Sequence, residues 1–130
     1  MKKSYFHLVL LALLGLSALT ANAAQLASAK VLNVSGTVNS HSEDGVEKQL
    51  IVGAILSQGD SIVTTAMSNA LLVFSNGSEL VVEENSSISI ANLSQEAFGG
   101  NKSYEQLQAD PSSSQSLLEL NYGKVSGHVK

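Results

Sequence analysis

Apolar and polar residues alternate with a period of two from Leu32 to Asn39. Leu32, Val34, Gly36 and Val38 fall on one side, and Asn33, Ser35, Thr37 and Asn39 on the other. That period predicts a half-buried strand, and Gly36 on its inward side leaves room for another backbone or a large side chain. His41 to Lys48 is a polar turn built on Asp44-Gly45, a favoured hairpin pair. Gln49 to Leu56 then reads as a nearly continuous apolar run, which predicts a strand covered on both faces with a bulge or bend at Gly53. Gln58-Gly59-Asp60 predicts a tight turn before the short β-branched strand Ser61 to Thr65, and Ala66 to Asn69 a second break. Ala70, Leu72 and Phe74 share one face and Leu71 and Val73 the other, so this strand too is expected to be covered on both sides. Asn76-Gly77 follows as a hairpin signal, with φ > 0 expected at both residues. Glu79 to Glu83 is its partner strand. Ser87 to Ala91 alternates again, with Ile88 and Ile90 inward.

From Asn92 to Ser116 the pattern changes. This stretch holds Gly99-Gly100, Pro111 and the polar run Ser112 to Ser116, and predicts a long polar loop that is either functional or loosely ordered. A short helix over Tyr104 to Ala109 is the one helical signal within it. Leu118, Leu120 and Tyr122 then alternate with Glu119 and Asn121, and Gly123-Lys124 turns the chain into Val125 to Val129. Strands at this spacing, with turn residues between them, predict an all-β domain.

The N-terminus is a separate element. Lys2 and Lys3 precede an apolar stretch from Leu8 to Leu16, and Ala21-Asn22-Ala23 supplies a small-x-small pattern. The expectation is a signal peptide over 1–23 cleaved after Ala23, since the apolar run is short of the ~20 residues that a bilayer span needs. The protein is then exported, to the periplasm, the cell surface or the medium, with one domain over 24–130. There is no cysteine and no arginine, and five lysines face eleven acidic residues after Ala23. Without cysteine, disulfide, thiol and haem-attachment chemistry are excluded. The acidic balance argues against nucleic acid and anionic lipid as partners.

Candidate chemistry is sparse. No G-x-S-x-G is present, and His41 and His128 are the only histidines after Ala23, so a Ser-His-Asp set has little to draw on. His41, Glu43 and Asp44 lie too close together on one turn to converge on a metal. Glu83 and Glu84, as strand neighbours, would point to opposite faces and could not serve one glycoside. No calcium-loop spacing occurs. Asn33, Asn76, Asn85, Asn92 and Asn101 each begin an N-x-S sequon, read here as a by-product of a Ser/Asn-rich surface. The residues singled out are therefore turn formers: Gly36, Gly59, Asp60, Asn76, Gly77 and Gly123. Asp60 is expected to accept backbone N–H groups in its turn. No catalytic, cofactor or metal residue is assigned.

These residues carry a resemblance. Leu56-x-x-Gly59-Asp60-x-Ile62-x-Thr64, Ser68-x-Ala70 and Leu72-x-Phe74-x-Asn76-Gly77-Ser78 resemble the FecR-type domain, whose pattern runs through G-D-x-I-x-T to an apolar strand ending in D-G-S. Val34-Ser35-Gly36-Thr37-Val38 is similar to that family's first strand, and Leu118-x-Leu120-x-x-Gly123-x-Val125 to a later one. The likeness spans about Lys30 to Lys130. It implies an all-β, solenoid-like or sandwich-like fold. Its implied role is a non-enzymatic binding or signal-relay module in the bacterial envelope, or else a structural envelope component. Two departures qualify it: a signal peptide stands where the family has its anti-sigma and membrane-spanning parts, and the family's later T-P-x-x-x-A-x-x-R-G-T-like motif does not occur. The expectation is a minimal or C-terminally truncated form whose edge near Val125 to Val129 is open to self-association or to a partner strand.

Overall fold

The computed structural model describes residues 27–96, 98–100 and 102–129. The expected signal peptide over 1–23, with its cleavage residues Ala21 and Ala23, lies outside them. The described chain is all-β: β1 (Ala29–Ser35), β2 (Val38–His41), β3 (Glu47–Gln49), β4 (Ile55–Leu56), β5 (Ser61–Thr64), β6 (Asn69–Phe74), β7 (Glu79–Val82), β8 (Ser87–Gln95), β9 (Ser114–Tyr122) and β10 (Val125–His128). They form two antiparallel sheets of five strands, ordered β10-β7-β6-β1-β4 and β3-β2-β5-β8-β9. Val31, Leu72 and Val82 of the first sheet share one core with Val38, Ile62 and Ile88 of the second. Full burial of each such side chain stabilises the fold by about 1.5–3 kcal/mol. Among the described residues no helix is long and apolar enough to cross a membrane.

The first predicted strand is in fact two. The chain leaves the first sheet at Gly36-Thr37 and re-enters as β2 in the second, so the alternation that read as continuous spans a corner. Its inward phase also differs. Val31 is fully buried and Leu32 only partly, because a bulge between Val31 and Asn33 shifts the register against β6 by one residue.

The run from Gln49 to Leu56 is not a doubly covered strand. Leu50 and Leu56 are buried, but Ile51, Val52 and Ile55 are 67%, 60% and 59% exposed around a bend at Gly53. Apolar composition there reflects a clip that crosses between sheet edges with an anchor at each end. Ile51→Asp and Val52→Asp are therefore expected to change stability by less than about 0.5 kcal/mol in urea unfolding, the range of ordinary surface substitutions.

The Asn76-Gly77 hairpin forms, though not as the two-residue turn expected. Only Gly77 has positive φ (89°). Its N–H reaches the Phe74 carbonyl at 2.8 Å, and the Phe74 N–H reaches the Ser78 carbonyl at 2.8 Å. The Asn76 side chain instead accepts the Ser78 N–H at 2.9 Å. This is a turn closed by a left-handed glycine, in which Asn76 acts through its side chain.

The long loop is shorter than the polar composition implied. Asn92 to Gln95 belong to β8 and Ser114 to Ser116 to β9, paired from Asn92↔Leu117 to Gln95↔Ser114, so the connection covers 96–113. The ladder satisfies backbone groups whatever the side chains, which is why polarity alone misplaced its ends. The helical signal shrinks to one 3₁₀ turn, Tyr104–Gln106. Tyr104 Oη and Ser28 Oγ lie 2.8 Å apart, Lys30 pairs with Glu105 at 4.0 Å, and Leu107 is buried. The loop that joins two strands of the second sheet is thus fastened to the start of the first.

Glu105 accepts its own backbone N–H at the head of the 3₁₀ turn and faces Lys30, and these together hold its carboxyl below the usual carboxylate value. The sign follows from linkage. A lowered folded-state pKa favours the docked loop above the ordinary carboxylate range, and that contribution is lost as pH falls through the lowered value. Acid titration followed by the Tyr104 ring signals should show the loop loosening in that window, and Glu105→Gln should flatten the response.

A repeat runs through the eight strands other than β3 and β4. In β2–β5, Val38↔Thr64 through His41↔Ser61 pair as Val125↔Val82 through His128↔Glu79 do in β10–β7. At one corner Ser68 Oγ accepts the Thr37 N–H at 2.9 Å; at the other, Ser86 Oγ accepts the Lys124 N–H at 2.8 Å. Each serine also donates two residues back, to the carbonyls of Ala66 and Glu84. The residues just before these serines, Met67 and Asn85, are both left-handed, at φ 57° and 50°. The sheets correspond as β10-β7-β6-β1 and β2-β5-β8-β9, an approximate two-fold relation in which β3 and β4 are the additions.

Candidate functional site: an open seam between the sheet edges

Each sheet has two edges, and they meet in two seams. On one side β2 and β1 are bridged by the β3–β4 segment: β3 pairs with β2, and β4 pairs with β1 through Ala29↔Leu56 and Lys30↔Ile55. The clip is tied in by the Leu50 N–H to the Val38 carbonyl at 2.7 Å and the Val31 N–H to the Ala54 carbonyl at 2.9 Å. On the other side, β9 and β10 are joined through Gly123-Lys124 but do not pair, and they diverge from that corner.

Between them lies an open groove of about 560 Å³. Phe74, Leu80, Leu117 and Leu118 give it apolar walls, and Glu79, Asp110, Ser116, Gly127 and His128 line its rim and floor. Leu117 is 56% exposed and Val129 82%. The loop and the C-terminal strand, separately expected to be the places where recognition could occur, therefore meet in one groove. Asp110 is fixed there: its carboxylate accepts the Ser114 hydroxyl, the Ser112 N–H at 3.3 Å and the Gln95 amide at 3.3 Å.

The ladder phase says which backbone groups face the groove. The Glu83 N–H bonds the Lys124 carbonyl at 3.0 Å. Because hydrogen-bonded pairs alternate along an antiparallel ladder, Ser126 and His128 bond β7, while Val125 and Gly127 turn their N–H and C=O groups outward. An edge of this kind is a template for another strand.

The six turn residues hold the fold around this seam rather than forming a site of their own. Gly59 (φ 95°) closes its turn, with Asp60 Oδ2 accepting the Ser57 N–H at 2.9 Å, as expected of that aspartate. Gly77 packs on Leu107, Gly36 on Ser68 and Gly123 on Ser86. The histidines part company: His41 lies 3.9 Å from Glu47 on the clip, and His128 lines the groove. Glu83 and Glu84 follow β7 instead of ending it. Glu83 pairs with Lys124 at 3.5 Å and Glu84 accepts the Met67 N–H at 2.8 Å. Among the described residues no group of three or more His, Asp or Glu is placed to hold a metal.

Ser68 and Ser86, both buried, organise the corners that set the seam, and composition gave no reason to single them out among so many serines. The signal that could have found them is the recurrence of Gly-x-Val at 36–38 and 123–125, each needing a small hydrogen-bonding neighbour. The fold and groove define an all-β, two-sheet domain with one bridged and one open edge. No family model, curated protein or solved structure matches this chain.

Proposed function

We propose that the chain is a non-enzymatic, FecR-like binding or signal-relay module that acts through protein contacts in the bacterial envelope after export. The observation that carries this reading is the open β9–β10 seam. It combines an apolar-walled groove, an outward-facing strand edge at Val125 and Gly127, and a fastened loop on its rim. The FecR-type motifs, the N-terminal signal pattern and the acidic, arginine-free composition support it.

The test is affinity capture from bacterial envelope extract with the protein and with Ser116→Arg, which places a bulky cation on an exposed groove residue. A partner retained by the protein and reduced at least tenfold by the variant is the expected result. Equal recovery by both would contradict the seam as the binding surface.

A further inference from the structure

We infer that the β9–β10 seam seats an extended strand donated by a partner protein, running antiparallel to β10 and crossing to β9. This rests on the protein-contact reading above and gives it a binding mode. In the internal repeat β10 corresponds to β2 and β9 to β1, and among the described residues only β2 and β1 are bridged. The β3–β4 clip therefore displays what the open seam lacks. Val38 gives its carbonyl to the clip, and its counterpart Val125 presents the same group outward. Leu50 and Leu56 anchor the clip, both buried. Leu56 sits opposite Ala29, and the residue corresponding to Ala29 is Ser116, small and exposed on the groove.

Charge separates the two seams and defines the partner. On the clip, Glu47 stands opposite His41, whose neighbour on β5 is the neutral Ser61. The counterpart His128 has Glu79 beside it on β7, Asp110 also lines the groove, and among the described residues no lysine does. An incoming residue opposite His128 thus meets carboxylates, and cross-strand pairs favour opposite charge. The strand that fits is apolar at its two anchors and carries lysine or arginine where the clip carries Glu47. Main-chain pairing supplies affinity and the anchors supply specificity, as in other strand-addition complexes.

The chain supplies its own probe, a labelled peptide of residues 46–57 carrying Glu47→Lys, titrated into the purified protein by fluorescence anisotropy. It should bind at least threefold more tightly than the unmodified 46–57 peptide, and raised salt should narrow that gap. Leu50→Asp in the peptide, or Ser116→Arg in the protein, should each weaken binding at least tenfold, with the melting temperature of the variant protein unchanged. Equal binding of the Leu50→Asp peptide, or indifference to Ser116→Arg, would overturn the inference. So would a concentration-dependent dimer that Ser116→Arg abolishes and the peptide does not displace, which would assign the seam to a second copy. Loss of envelope capture in Ser116→Arg without peptide binding would refute the strand while leaving the protein-contact reading intact.

Discussion

Gly123→Ala is expected to destabilise the protein by about 2–5 kcal/mol, combining a left-handed backbone penalty of about 1–2 kcal/mol with an overpacking cost of about 1–3 kcal/mol. Gly123 has φ 89°, and a Cβ there would clash with Ser86 Oγ and lie 2.5 Å from Ser86 Cα and 2.6 Å from the Asn85 carbonyl oxygen. Two of those atoms are backbone, so a side-chain rotation cannot relieve the clash. The displacement would also pull Ser86 from the Lys124 N–H and cost that corner a hydrogen bond. Gly45→Ala is the control: its φ is 85°, but nothing lies within 4 Å of the added Cβ. It should cost only the backbone part, about 1–2 kcal/mol. Urea unfolding of both variants separates the two contributions, and equal losses would contradict the close approach at Gly123.

Leu72→Ala should cost about 2–5 kcal/mol through lost burial and a residual cavity. Leu72 is fully buried between β1 and β7, paired with Val31 and Leu80, and both neighbours are held in register by ladders that limit collapse into the space. The same truncation at Leu117, on the lip of the groove, should cost less than about 0.5 kcal/mol. Chemical denaturation distinguishes them. A Leu117→Ala loss equal to that of Leu72→Ala would mean that the groove is closed in solution.

Local chemistry was legible: Gly59, Asp60, Gly77 and the alternation of Ile88 and Ile90 each have a cause within a few positions, and the structure uses them as expected. Longer-range features are not legible where two arrangements fit the same pattern. Leu50 to Leu56 looks like a core strand because burial of its two end anchors cannot be told from burial of the whole run. Leu32 took the inward phase because a bulge leaves no mark in an alternation of Val, Leu and Asn. The seam was half legible. Its loop and its C-terminal strand were each singled out, but nothing local says that Asp110 and His128 line one groove. Gly36 and Gly123 share a local Gly-x-Val pattern, but nothing local says which serine each one packs on.

Among the described residues β10 offers an uncovered strand edge where β2, its counterpart, is covered. Amide hydrogen exchange reads this residue by residue. In the protein alone, the Val125 and Gly127 amides should exchange quickly while Ser126 and Ser40 are protected. Adding the 46–57 peptide with Glu47→Lys should slow Val125 and Gly127 at least tenfold and leave Ser40 unchanged. Protection at Val125 and Gly127 before any peptide is added, or none after saturation, would contradict the account.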